Sequence, residues 1–463
     1  MDFEALKRLG LVYMNIDCEK SYESYNETNN NHIINIYLKK DEKTCCPNCG
    51  SNNVISRGSI KRTLEFANTA ENNITLIWHR KRFTCKNCNH FFQVNNPFVE
   101  SKKRITVQKD IKILQTLKDI NTNYTFVAKA FDVSPTYVID LFDRKVDISR
   151  GPLTQVICVD EVYASKLTKH KFCFILYSPQ LHKILDVLDS RRKDALEKYF
   201  DKIPKEERNK VQYFSMDLYD NYRLIAQKYF PNAKVCADSF HVIKNLMECF
   251  RKIRIRVMKR YEKLKSENSN YYWLYKKYWK ILHKDQSKLS RKIIKIKKSN
   301  MHLSFRQIID YMLSLDDTLK LAYELKEEYL NFNSSAKLNT CEAWLDEIIY
   351  KFQTSQITEY ISFWKLLKNW RVEIINSFNQ INGYRISNGP IERANRDIKT
   401  ILRLSFGSSN FPRMRNRIMW VMNDDSAILY TRKSSTNKRK FKARGPYKTV
   451  SYTHLTLPTK LEV

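Results

Sequence analysis

Residues 155–163 read QVICVDEVY, residues 211–222 read VQYFSMDLYDNY, and residues 233–241 read AKVCADSFH. Each begins as a short apolar run and ends on an acid, which reads as a buried strand. Gln155–Val159 runs into Asp160-Glu161, Val211–Met216 into Asp217, and Ala233–Ala237 into Asp238. Two further runs, Phe172–Tyr177 and Lys183–Leu188, lie between the first two, and helical patterning covers Arg192–Phe200 and Tyr222–Tyr229. The order β-β-β-α-β-α-β predicts three hairpin-linked strands followed by helix-crossover strands in one mixed sheet. If the first and fourth strands are neighbours, Asp160 and Asp217 lie side by side. Adjacent carboxylates repel unless cations bridge them. Hard divalent ions with oxygen ligands do this, and such pairs support two-metal phosphoryl transfer.

A third carboxylate completes such a ligand set. Glu392 lies in SNGPIERAN, residues 387–395, where Gly389-Pro390 makes a turn and Pro390 starts a helix. Taken singly, Asp160 and Asp217 also read as strand-end turn acids, and Glu392 as a helix acid near the dipole. Glu161 and Asp220 are nearby acids that compete for the assignment. His241, three residues after Asp238, reads equally as a phosphate or proton-transfer group and as a structural helix-start histidine.

The rest of the chain constrains the partner. Lys plus Arg total 82 against 49 acids, a net charge of +33 over 463 residues, which points to a polyanion and first of all to nucleic acid. Glycine numbers only 8, and no GxxxxGK or GxGxxG occurs, which argues against a nucleotide-binding loop. No apolar run approaches ~18 residues, so no membrane span is expected. The 11 cysteines are odd in number and include two CxxC pairs, as in a reducing compartment, here read as bacterial cytoplasm.

Cys46–Cys49 and Cys85–Cys88 form two knuckles, and together make a closed four-thiolate Zn2+ site. Candidate strands at Asn53–Arg57 and Ile74–Phe83 bridge the gap between them. Cys45 is a competing ligand, although Cys46 has the CxxC register. Val107–Asp119, Tyr124–Phe131 and Pro135–Phe142 read as three helices, with Ser134 as N-cap and Pro135 at the first helical position. The last two resemble a helix-turn-helix that presents Thr136, Tyr137, Asp140 and Arg144 to DNA. Lys102, Lys103 and Arg104 enter this unit as phosphate contacts.

Residues 245–385 read as long basic helices. Arg251, Lys252, Arg254, Arg256, Lys259 and Arg260, then Arg291, Lys292, Lys295, Lys297 and Lys298, are expected to track DNA. Trp273, Trp279, Trp364 and Trp370 are expected in the core. Arg413, Arg415 and Arg417 follow the Glu392 helix and are expected to hold phosphates near the metals. Residues 426–450 form a basic tail, and residues 451–463 read as a non-native scar.

The chain resembles the DDE transposases of the ISL-three insertion-sequence family over most of residues 44–425. The resemblance rests on CPNCG at 46–50, CKNC at 85–88, VDE at 159–161, SMDLYDNY at 215–222, FPNAKVCADSFHVIKN at 230–245 and SNGPIERANRDIK at 387–399. It implies an α+β multidomain protein: an N-terminal segment (1–43), a zinc-binding domain (44–95), a helix-turn-helix (100–148), and an RNase H-like core (154–244 and 386–425) interrupted by an all-helical insertion (245–385). It implies a metal-binding catalytic triad of Asp160, Asp217 and Glu392 with two Mg2+ or Mn2+ ions, and an accessory DxxH pair, Asp238 and His241. Ser239 stands where a basic residue is expected in relatives, so no phosphate contact is carried over there. The implied activity is cleavage and transfer of DNA strands at terminal inverted repeats by a homodimer. The competing readings are a DNA-binding regulator with an inactive catalytic fold, and a nuclease acting on RNA–DNA hybrids.

Overall fold

The computed structural model describes residues 15–424 together with Glu4, Leu6 and Leu11, leaving out 30, 40–43, 67–72, 101–103, 264, 285–288, 297–300 and 406–408. Lys102, Lys103, Lys297, Lys298, the basic tail and residues 451–463 lie outside the described residues.

The central sheet contains β6 (Val156–Tyr163), β7 (Phe172–Ser178), β8 (Lys183–Leu188), β9 (Tyr213–Met216) and β10 (Lys234–Ala237) in the order β10-β9-β6-β7-β8. The first and fourth strands of this unit are neighbours: β6 pairs parallel with β9, Val156 opposite Tyr213 and Cys158 opposite Ser215. The β7 strand is antiparallel to both β6 and β8, while β10 is parallel to β9. Alternation along β6 sends Ile157 and Val159 into one core, and Cys158 and Val162 into another. Both faces are therefore covered, as a sheet with apolar residues on both sides requires.

The first face meets the long segment between β10 and residue 386. It opens with the 25-residue helix Ser239–Lys263 and includes Phe305–Ser314, Asp317–Ser335, Cys341–Thr354, Ile361–Asn369 and Arg371–Asn376. Its apolar residues merge with those of the sheet into one cluster, so this insertion is welded to the core. It is not all-helical as expected: Ile293–Lys295 pairs with His302–Ser304, and Gln380–Ile381 with Tyr384–Arg385. Of the four tryptophans expected in the core, Trp370 is buried and Trp279 is 38% exposed.

The second face is covered by two helices from the C-terminal part, Gly389–Leu404 and Phe411–Met422. Ile391, Ala394, Ile398 and Ile401 of the first, and Met414 and Ile418 of the second, pack on Ile175, Ile184 and Val187.

Three short helices precede the sheet: α1 (Val107–Thr116), α2 (Tyr124–Ala130) and α3 (Pro135–Lys145). Thr106, Asn123 and Ser134 each cap one, accepting from the backbone N–H of Lys109, Phe126 and Tyr137. Asp132 makes the turn between α2 and α3 at φ 48°, a conformation Asp tolerates better than most residues.

The N-terminal segment is part of the cysteine-bearing unit. Strand β2 (Asn31–Ile36), paired antiparallel with β1 (Tyr22–Asn26), lies parallel to β4 (Asn73–Cys85), which pairs in turn with β3 (Val54–Glu65). Leu64, Leu76 and Trp78 from the long hairpin pack against Ile34, Ile36 and Phe98. Strand β3 bulges between Ser56 and Ser59, where Gly58 takes φ +77°.

Candidate active site

Asp160 sits inside β6, because that strand continues to Tyr163 rather than ending at the acid. Being two residues from Cys158 and from Val162, it points to the face covered by the Gly389–Leu404 helix. Asp217 directly follows β9. Strand pairing brings the two together: carboxylate oxygens of Asp160, Glu161 and Asp217 all lie within 4.8 Å of one another. Burial and then the neighbouring Asp217 charge push the Asp160 carboxyl up to about 8.

Glu161 points the other way and is already held. Arg191 pairs with it, and the Tyr222 hydroxyl donates to its second oxygen at 2.9 Å. The Asp220 side chain is 73% exposed and, among the described residues, reaches Arg223 at 3.8 Å. Among the described residues, Asp160 is therefore the acid of this cluster with no cationic side chain paired to it, and the cationic partner of Asp217 is His241.

A second cluster shares Asp217. Oxygens of Asp217 and Asp238 and a ring nitrogen of His241 lie within 4.8 Å. His241 Nδ1 is 3.0 Å from Asp217 Oδ1 and 3.0 Å from Asp238 Oδ2. Burial opposes a charge on this ring, but the two carboxylates outweigh it and push its pKa up to about 10. Glu392 lies in the first turn of its helix, half-buried. Burial raises its pKa, followed by the charge of Asp238, with His241 and Asp217 also felt. It faces these groups without belonging to either close cluster among the described residues.

Two residues to which the sequence assigns no role complete the site. Asn388 Nδ2 donates to the Val159 carbonyl at 3.1 Å and to Asp217 Oδ1 at 3.3 Å. Its backbone N–H donates to Asp238 Oδ1 at 3.2 Å. Asn395 Nδ2 donates to Asp160 Oδ2 at 2.5 Å. Asn388, Glu392 and Asn395 follow an i, i+4, i+7 spacing, a polar stripe on an otherwise apolar inner face, and that spacing was legible in the sequence.

The donor set suits a hard divalent cation. It offers carboxylate oxygens and the buried amide oxygens of Asn388 and Asn395, which have no hydrogen-bond partner among the described residues. Oxygen ligands without thiolates favour Mg2+ or Mn2+ over softer ions.

The four-cysteine site is separate. Cys46, Cys49, Cys85 and Cys88 converge, with Cys46–Cys88 sulfurs 3.6 Å apart and Cys49–Cys85 sulfurs 3.5 Å apart. A tetrahedral Zn2+ with bonds of about 2.3 Å needs nearly this spacing. The His90 backbone N–H leads the interactions that hold the Cys88 thiol down, at about 6. Cys45 is exposed and outside the cluster, so Cys46 supplies the knuckle.

The residues expected to touch DNA fall into two groups. Arg104 and Thr136 are exposed. The Tyr137 hydroxyl donates to Asp110 at 2.6 Å, and Arg144 pairs with Glu100 at 3.1 Å. Arg413, Arg415 and Arg417 were expected beside the metals, and the structure commits them elsewhere. Arg413 grips Asp143 of α3 at 2.6 Å, and Arg415 grips Asp186 of β8 at 2.6 Å. Arg417 is 3% exposed and donates to the carbonyls of Thr122 and Asp119 at 3.1 and 3.2 Å. In the insertion, Arg251 pairs with Glu248, Arg256 with Glu359 and Arg260 with Asp316, while Arg254 is buried; Lys252 and Lys259 remain exposed.

A mixed sheet with paired acids at neighbouring strands, closed by a helix carrying a third, is compatible with an enzyme that acts through divalent metal. The family model of the ISL-three DDE transposases, described as Transposase, matches residues 157–418. The match spans more than half of the chain, and the chain belongs to this transposase family. A search of curated proteins found no match. No helix among the described residues is long and apolar enough to cross a membrane.

Proposed function

We propose that this transposase binds the terminal inverted repeats of an insertion sequence, cuts DNA strands there with divalent-metal help, and joins the freed ends to target DNA. The observation that carries the reading is the parallel pairing of β6 with β9. It sets Asp160 beside Asp217 under a helix that carries Glu392.

The strand order and the two covered faces support an RNase H-like core. The capped α2–turn–α3 pair supports a helix-turn-helix. Asp160, Asp217 and Glu392 would hold the ions, Mg2+ or Mn2+. Bound there, such ions would supply activation of the attacking oxygen and stabilisation of the leaving one. The chain's own groups prepare that site. Burial and mutual repulsion raise the energy of the bare carboxylates, so cation binding is favoured. His241, protonated between Asp217 and Asp238, supplies the compensating charge in the metal-free state. Cys46, Cys49, Cys85 and Cys88 would hold Zn2+, which would tie down the N-terminal sheet. Two element ends must be joined, which favours a homodimer.

The test is a Mg2+-dependent cleavage assay on DNA carrying the gene's own flanks, with Asp217→Asn and Glu392→Gln alongside. Cuts at the flank ends that leave 3′-hydroxyls and vanish in both variants support the reading. Tight end binding without cutting in all three proteins supports a DNA-binding protein with an inactive core.

A further inference from the structure

We propose that Asn388 and Asn395 are positioning residues of the metal site. Their amide NH2 groups fix the directions of the Asp217 and Asp160 carboxylates, and their amide oxygens serve as acceptors toward a hydrated cation. The proposal rests on the reading of the acids as metal ligands and adds to it the residues that aim them.

The first argument is conformational. Asn388 occupies the N-cap of the Gly389–Leu404 helix, yet makes no side-chain cap hydrogen bond. Asparagine is among the best N-cap residues because its side chain satisfies a free helix N–H. Asn123 does this in α2, accepting from Phe126 at 2.8 Å. Asn388 instead turns inward and donates to the Val159 carbonyl and Asp217 Oδ1, while its own N–H reaches Asp238. One residue thus ties the acid-bearing parts of β6, β9 and β10 together. Local stability is forgone for this arrangement.

The second argument is the hydrogen-bond account. Asn388 is 1% exposed and Asn395 is 5% exposed. Each donates to a different one of the two acids, and each leaves its amide oxygen buried with no partner among the described residues. A buried polar atom without a partner is destabilising. Two such oxygens on one helix, beside two carboxylates, are acceptors held for a donor that arrives with a ligand. The water shell of a hard cation supplies such donors. The arrangement matches the general finding that groups behind metal ligands orient them and tune affinity.

Mn2+ binding to the full-length protein, followed by electron paramagnetic resonance, tests the assignment. Asp217→Asn serves as the blank for ions bound elsewhere. Asn388→Leu and Asn395→Leu keep the side-chain shape and remove donor and acceptor. Each should weaken Mn2+ binding about tenfold or more. Asn388→Asp and Asn395→Asp keep an acceptor and add repulsion. They should lower the melting temperature without metal and recover more of it than wild type when Mn2+ is added. Leucine variants that bind Mn2+ as tightly as wild type would overturn the proposal, whatever their stability. Failure of the underlying reading looks different: wild type and Asp217→Asn would then give the same Mn2+ titration.

Discussion

Two charged regions of this molecule are treated in opposite ways. At Asp160 and Asp217 the carboxylates crowd together, with only amide donors and one histidine against them. Along the helix Phe411–Met422 two arginines find carboxylates, Arg413 with Asp143 and Arg415 with Asp186, while buried Arg417 donates from Nη2 to two carbonyls and leaves Nη1 without a partner among the described residues. The second region is a strut. Its Trp420 is buried in the core of α1–α3 and donates to the Leu114 carbonyl. Asn416 donates to the Val146 carbonyl, and Asn423 brackets the backbone of Ile184 on β8. The strut thereby bolts the three-helix unit to the edge of the central sheet. The arginines here mark architecture, and the crowded acids mark the candidate site.

The contrast breaks first, and most visibly, at the acids. Asp217→Asn should lower cleavage by about 10³-fold or more, since it removes several kcal/mol of transition-state stabilisation. The variant should remain folded by circular dichroism, because it relieves repulsion. A second consequence concerns pH. Folding raises the Asp160 pKa to about 8, so the native state favours the protonated carboxyl. That contribution is complete below about pH 4 and is lost as pH rises through about 8, an effect of up to a few kcal/mol. Melting temperatures of the metal-free protein should fall over this window, and less so in Asp160→Asn. Added Mn2+ should flatten the wild-type slope.

The strut should respond in stability alone. Arg417→Met strands the Thr122 carbonyl, while the Asp119 carbonyl keeps the Thr122 hydroxyl and N–H, and should cost about 1–3 kcal/mol by denaturant unfolding. Cleavage per folded molecule should be kept. Arg413→Ala removes a partly exposed ion pair, with side chains 22% and 36% accessible, and should cost about 1 kcal/mol or less. A measured loss of DNA affinity larger than this stability change would return Arg413 to a phosphate-binding role.

The central strands and the pairing of Asp160 with Asp217 were legible because apolar runs ending in acids carry both fold and chemistry in a few adjacent residues. The sequence places the end of β6 at Asp160, since an acid inside a strand reads as a stop, and the strand runs on to Tyr163. Strand β1 was not seen: all five of its residues are exposed, so it has no apolar alternation to detect. The strut was misread for a different reason. In a chain of +33 net charge, three arginines at alternate positions look like a DNA surface. Their acceptors lie 229 to 298 residues away in sequence, and local patterning carries no trace of them. Asn388 and Asn395 were visible as spacing, but nothing in the sequence says that an N-cap asparagine will turn inward.

The most direct test compares single-turnover cleavage of flank-end DNA by wild type, Asp217→Asn and Arg417→Met, each corrected for its folded fraction. The account predicts that Asp217→Asn is folded and inactive, and that Arg417→Met is less stable yet cuts at the wild-type rate. Cleavage retained in Asp217→Asn, or lost in fully folded Arg417→Met, would contradict it.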